Sequence, residues 1–222
     1  QEFPFTHSAK IGSQNKLHSD ALSREFLSIE TEWNPLSFSE SGPLEIQEVV
    51  FAGYGIRPKG LVNQSEYDSY THLDVKDKCV MVLSGLPDSW NEEDKEKLRY
   101  EGTFQKKARI ARDLKAKAII FINTEEDDPV SFSKSFANEM ISIKSFSLNR
   151  DFVRKIFLSN ARDFEKVHSK IAKGEPYMGF ALTKVSLKGK IDVTREKGNG
   201  INTIGLLKGS ENKDSKKLII VG

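Results

Sequence analysis

Two continuous apolar runs limit what this chain can fold into: Lys78-Cys79-Val80-Met81-Val82-Leu83 and Ala118-Ile119-Ile120-Phe121-Ile122-Asn123. An apolar run without polar alternation fits a strand covered on both faces, as parallel strands usually are. Between the two, from about Glu92 to Leu114, strong helix formers dominate. Phe104, Ala108, Ala111 and Leu114 recur there on one helical face, and Gly102 interrupts the stretch. Strand, helix and strand in this order predict a βαβ unit with a parallel pair, whose crossover is right-handed in nearly all proteins.

The flanking segments carry weaker signals. The first 43 residues show a short strand around Phe3 to Thr6 and otherwise read as an irregular entry segment. Ile46 to Tyr54 is β-branched and aromatic and predicts a strand, with Gly53 and Gly55 permitting a tight bend around Tyr54. Ile141 to Leu148 predicts another strand. Asn149 then caps a helix over Arg150 to Leu158, and a second helix, about Ala161 to Lys173, stops at Gly174. From Phe180 to Val193 apolar and polar residues alternate for longer than a typical strand of about six residues, which predicts one long or bent antiparallel strand. Gly198-Asn199-Gly200 reads as a turn into a strand Ile201 to Leu207, and Gly209 to Asp214 as a polar turn into a strand Lys217 to Gly222.

Charge and motif content exclude several functions. The 222 residues are 37% hydrophobic and 30% charged, and 34 basic against 32 acidic residues leave a formal net charge of +2. That balance makes no electrostatic case for nucleic acid, and no apolar run approaches the roughly 20 residues of a membrane-spanning helix. The single cysteine, Cys79, excludes an internal disulfide and a cysteine-based zinc cluster within one chain. Inside an apolar strand its thiol behaves as a small hydrophobe and a poor nucleophile. His7, His18, His72 and His168 lack the spacing of a zinc site. Glu125-Glu126-Asp127-Asp128 lacks the glycine and the later bidentate glutamate of a calcium loop and reads as a solvated turn. Neither Gly53-Tyr54-Gly55 nor Gly198-Asn199-Gly200 extends to a nucleotide-binding glycine fingerprint, so both read as turns. Lys106, Lys107, Arg109, Arg112, Lys115 and Lys117 read as a solvated basic helix face, with binding of an acidic partner as the competing role. No nucleophile elbow is present, and no catalytic, cofactor-binding or metal-ligating residue is assigned.

Several stretches taken in order resemble one family. They are Pro35-Leu36-Ser37-Phe38-Ser39, Val49-Val50-Phe51-Ala52-Gly53-Tyr54-Gly55-Ile56, and Tyr67-Asp68-Ser69-Tyr70 leading to Leu73-Asp74-Val75-Lys76. Lys78 to Leu83, Lys107 to Ile122, Asn202-Thr203-Ile204-Gly205-Leu206-Leu207-Lys208-Gly209-Ser210 and Leu218 to Gly222 complete the order. Together they resemble a bacterial zinc aminopeptidase of metallopeptidase family twenty-eight that carries an inserted protease-associated (PA) domain. The resemblance implies an α+β (mixed α/β) fold: a PA-domain β-barrel or sandwich with flanking helices over residues 44–176. Residues 1–43 and 177–222 would then supply flanking strands of an incomplete zinc-exopeptidase α/β domain. In that family the strand resembling Leu218 to Gly222 runs into an Ala-His-x-Asp segment of zinc ligands. The present sequence stops before such a segment, so the expectation is a fragment, with no cofactor in this chain and two zinc ions in the intact parent. Lys115 stands where the family usually has a glycine in the left-handed conformation, which would cost on the order of 1 kcal/mol. Ile141-Ser142-Ile143 lacks a proline common at that place in the family.

By resemblance the protein is secreted or periplasmic, and the PA domain roofs the active site of a metallo-aminopeptidase and helps select peptides without being catalytic itself. In the intact enzyme two zinc ions would polarise the scissile carbonyl and activate a water while a carboxylate moves its proton. The competing reading is a protein-interaction module of a catalytically inactive homologue, with transferrin-receptor-like relatives as the precedent. The partners implied are peptide substrates or the rest of the peptidase domain, with no nucleic acid and no membrane. The terminal strands, Phe180 to Leu207 and Leu218 to Gly222, are expected to expose apolar faces and to drive self-association. Sedimentation should therefore show a concentration-dependent mass, and a monomer at every concentration would contradict this.

Overall fold

The computed structural model describes residues 2–20, 26–58, 67–133, 139–175 and 177–201. In chain order its elements are β1 (Glu2–Ile11), β2 (Lys16–Ser19), β3 (Trp33–Pro35), β4 (Gly42–Ile46), β5 (Val49–Phe51), β6 (Cys79–Leu83), α1 (Glu92–Lys97) and α2 (Phe104–Asp113). There follow β7 (Ala118–Ile122), β8 (Lys144–Leu148), α3 (Arg150–Ser159), α4 (Phe164–Ala172), β9 (Phe180–Leu182), β10 (Leu187–Ile191) and β11 (Val193–Ile201).

The two apolar runs become β6 and β7, which pair in parallel from Cys79 opposite Ala118 to Leu83 opposite Ile122, every residue buried. Their side chains alternate between two cores because successive residues of a strand face opposite ways. Cys79, Met81, Leu83, Ala118, Ile120 and Ile122 enter one core together with Phe152, Val153 and Phe157 of α3 and Phe164 and Val167 of α4. Val80, Val82, Ile119 and Phe121 enter the other, closed by Ala108 and Ala111 of α2. Helices therefore cover both faces, which is why these strands need no polar side. The parallel pairing extends outward to β5 and β8, and β3 and β9 add antiparallel edges, giving the order β3-β8-β7-β6-β5-β9. A three-stranded antiparallel sheet, β2-β10-β4, and a two-stranded ribbon, β1-β11, complete an α+β fold.

Several expectations change. The first 43 residues are not irregular: they hold β1, β2 and β3, and β3 hydrogen-bonds to β8. Ile46 to Tyr54 divides between β4 and β5, which belong to different sheets. Phe180 to Val193 is likewise no single strand, since β9 joins the six-stranded sheet, β10 the three-stranded one and β11 the ribbon. Period-two alternation persists through these changes because each sheet buries one face of its strand against the shared core. The sheets thus run across positions 43 and 177. Gly198-Asn199-Gly200 lies inside β11, where Phe3 faces Gly200 and Phe5 faces Gly198. A Cβ at Gly200 would sit 2.5 Å from the Phe3 ring, so the glycines give the aromatic rings room to lie across the partner strand. The strands expected beyond Ile201, and the turn at 209–214, lie outside the described residues.

The helices begin and end where side-chain chemistry puts them. The Asn149 side chain accepts from the Phe152 N–H at 3.0 Å, and Thr103 restarts the helix after Gly102 by accepting from the Lys106 N–H at 3.3 Å. At the end of α2, the Lys115 N–H reaches the Arg112 carbonyl at 2.8 Å and the Ala116 N–H reaches Ala111 at 2.9 Å. This is the paired closure that requires a left-handed residue, and Lys115 takes it with φ 64°. The same closure ends α4 with Gly174 at φ 76°. Replacing Lys115 by glycine should raise stability by about 0.5–1 kcal/mol and the thermal midpoint by a few degrees, read by calorimetry, because glycine carries no Cβ penalty in this conformation. An unchanged or lower midpoint would show that the lysine is not strained.

Candidate functional site

Parallel strands deliver all their carboxyl ends to one edge of a sheet, where ligands of open α/β sheets bind. Here β5 ends in Ala52-Gly53-Tyr54-Gly55, β6 in Ser84-Gly85-Leu86 and β7 in Asn123-Thr124. The bend expected around Tyr54 is present: the Gly55 N–H returns to the Ala52 carbonyl at 2.9 Å, and Gly55 has φ 64°. A Cβ at Gly55 would lie 2.4 Å from Val82 Cγ1, so only glycine allows this loop to lie against β6. The Ser84 and Thr124 hydroxyls meet at 2.8 Å and join the ends of β6 and β7.

The carbonyls at this edge are satisfied by two basic side chains. Lys107, fully buried on α2, donates from Nζ to the Leu83 carbonyl at 2.7 Å and the Gly85 carbonyl at 2.6 Å, with the Tyr54 ring centroid 5.7 Å away. Arg150 donates to the carbonyls of Asn123 and Thr124 at 3.2 and 3.0 Å, and pairs with Asp127 at 3.0 Å. Burial draws the Lys107 amine from an ordinary pKa of 10.5 down to about 7. A neutral amine still carries two N–H donors, enough for both carbonyls.

Lys107 departs from the solvated basic face. The signal was in the sequence, because position 107 falls on the same helical stripe as Phe104, Ala111 and Leu114. Other members of the basic set pair with acids on the surface: Lys106 with Glu101 at 3.2 Å, Arg109 with Glu139, and Arg112 with Asp113 at 2.9 Å. The acidic run is a surface turn whose Asp127 takes Arg150 and Arg154. The buried Cys79 thiol is pushed well above its ordinary pKa by desolvation. The histidines stay apart: His7 lies edge-on to Phe5, His18 is 3.2 Å from Asp20, and His168 stacks on Phe164. Among the described residues no group of three or more His, Cys, Asp or Glu side chains is placed to hold a metal ion, so no zinc chemistry is assigned to them. No helix among them is long and apolar enough to cross a membrane.

Two clefts open at the carboxyl edge, on either side of the loop following β6. One, of about 620 Å³, lies between that loop, Thr124 and the charged face of α1. The other, of about 390 Å³, lies between Gly53, the Tyr67–Thr71 segment, Trp90 and the end of α4.

No protein-family model matches the chain, and no curated protein matches it in sequence. Among solved structures, the fold is similar to that of an aminopeptidase from Aneurinibacillus sp. strain AM-1, with a TM-score of 0.50 and 13% identity over 90% of this chain. The chain spans 35% of that protein's length. A zinc aminopeptidase from Bacillus subtilis has a TM-score of 0.47 at 14% identity, with the same 90% and 35% coverage. At such identities the likeness is one of fold, shared with part of an aminopeptidase.

The buried amine at the sheet edge has a measurable consequence. Unfolding returns Lys107 to a pKa near 10.5, so between about pH 7 and 10.5 the unfolded chain binds a proton that the folded chain does not. Its contribution to stability is complete above the unfolded value and is lost as pH falls through about 7. Lys107→Met should destabilise by about 1–3 kcal/mol at pH 9 because it orphans two carbonyls. The gap between wild type and variant in urea melts should narrow at pH 6, and a gap that is constant with pH would show that Lys107 stays charged.

Proposed function

We propose that this chain is the protease-associated part of a secreted or periplasmic metallo-aminopeptidase, where it roofs the substrate cleft and helps select peptides. The observation that carries the reading is the likeness of fold, over 90% of this chain, to a 35% share of the Aneurinibacillus aminopeptidase. In this reading residues 44–176 form the insert, joined by β3 and β9 as the edge strands of its six-stranded sheet, and the terminal segments on either side belong to the peptidase domain. The two metal ions are held by other parts of the longer protein. What the described residues contribute is binding and the exclusion of water: a sheet edge stiffened by Lys107 and Arg150, with two clefts opening between its loops.

The test compares the 222-residue chain with the complete gene product on aminoacyl 4-nitroanilides. The longer protein should release nitroaniline and lose that activity to a chelator, whereas the chain alone should release none and copurify without stoichiometric zinc. A complete gene product inactive on every aminoacyl substrate would replace the roof by an interaction module. Zinc bound one to one by the chain alone would overturn the assignment of the metal to other parts of the protein.

A further inference from the structure

The smaller cleft has a composition that its surroundings do not explain. The chain carries slightly more bases than acids, yet the residues lining this cleft include Asp68 and Glu175 and no lysine, arginine or histidine. Tyr67, Trp90 and Tyr177 supply aromatic walls, with Tyr67 and Trp90 packed edge to face at 5.4 Å and Trp90 only 6% exposed. At Gly53 no atom lies within 4 Å of where a Cβ would stand, so the mouth above the end of β5 stays open.

The two carboxylates differ. Asp68 is held in place, accepting from the Tyr70 N–H at 2.8 Å and from Arg57 Nε at 2.8 Å. Glu175, which also lines the cleft, is exposed and forms no ion pair among the described residues. It follows directly on the end of α4, whose Ile171 and Gly174 also line the cleft, and the carboxyl end of a helix is itself the negative pole of its peptide dipoles. An unpaired carboxylate, a helix carboxyl end and aromatic rings all favour the same kind of guest, an organic cation whose stem is apolar.

We infer that this cleft binds the guanidinium or alkylammonium side chain of a peptide, so that the chain selects for a basic residue. The peptide as the source of the cation rests on the function proposed above. Recognition of the cation itself does not.

The experiment titrates the isotope-labelled 222-residue chain with N-acetyl-arginine methylamide, N-acetyl-citrulline methylamide and N-acetyl-norleucine methylamide, following the Trp90 indole and nearby amides by NMR. Citrulline keeps the shape of arginine and removes its charge. The arginine derivative should bind about tenfold more tightly than either neutral compound, the sum expected of one cation–π contact and one partly exposed ion pair. Glu175→Gln should weaken binding of the arginine derivative about threefold, part of the way towards citrulline because the aromatic walls remain, while leaving the thermal midpoint unchanged because the side chain is exposed. Equal affinity for arginine and citrulline, binding of norleucine alone, no binding of any compound, or indifference to Glu175→Gln would each overturn the proposal. If the complete gene product proves inactive while the arginine derivative still binds selectively, the cleft stands and the peptidase roof falls.

Discussion

A strand buried on both faces must end somewhere, and the carbonyls at its carboxyl end then need donors that the sheet no longer supplies. This constraint organises the protein. Strands β5 to β8 run parallel between two helical layers, so all their unfinished carbonyls collect at one edge. Lys107 closes β6 from α2 on one face, and Arg150 closes β7 from the start of α3. Each comes from a helix that also covers the sheet, so the packing of the layers and the satisfaction of the edge are one event. The cost is a lysine taken out of water, and that cost appears as a depressed pKa.

A similar arrangement ties the terminal ribbon to the rest. Arg195 of β11 donates from one guanidinium nitrogen to the carbonyls of Ser37 and Ser39 at 2.9 and 2.7 Å, and Ser39 in turn accepts from the Ser145 N–H at the start of β8. The ribbon is therefore anchored at one end to the six-stranded sheet, while Phe3 and Phe5 at the other end remain 41% and 43% exposed. These exposed rings cover the glycines of the partner strand, which gives them a structural role beyond any association they promote.

The loops that leave the edge share its rigidity. The Gly53 carbonyl accepts from the Leu83 N–H at 2.8 Å and the Ser84 N–H reaches the Ile122 carbonyl at 2.8 Å, so the walls of both clefts are continuous with the central ladder. A binding surface built this way loses little order when a guest arrives, which suits recognition of a small charged group by a few fixed contacts.

The helix–strand alternation, the caps at Asn149 and Gly174, and the double burial of β6 and β7 were legible from residues alone, because each depends on neighbours within a few positions. The left-handed Lys115 was legible through a resemblance, and its closure needs only the turn before it. What the tertiary structure decided is where one strand stops and another sheet begins: alternation through Phe180 to Val193 is the same whether the chain stays in one sheet or passes through three. It also decided which charges leave the surface. Lys107 shares the stripe of Phe104, Ala111 and Leu114 and Lys106 does not, but it is the position of β6 beneath that stripe that makes Lys107 a buried donor to carbonyls and leaves Lys106 the surface partner of Glu101. The cleft beside Trp90 is of the same kind, since Asp68, Trp90 and Glu175 are far apart along the chain and are gathered by the sheet edge, α4 and β9. Local patterns carry periodicity and capping, but the desolvation of a charge is a property of everything packed around it.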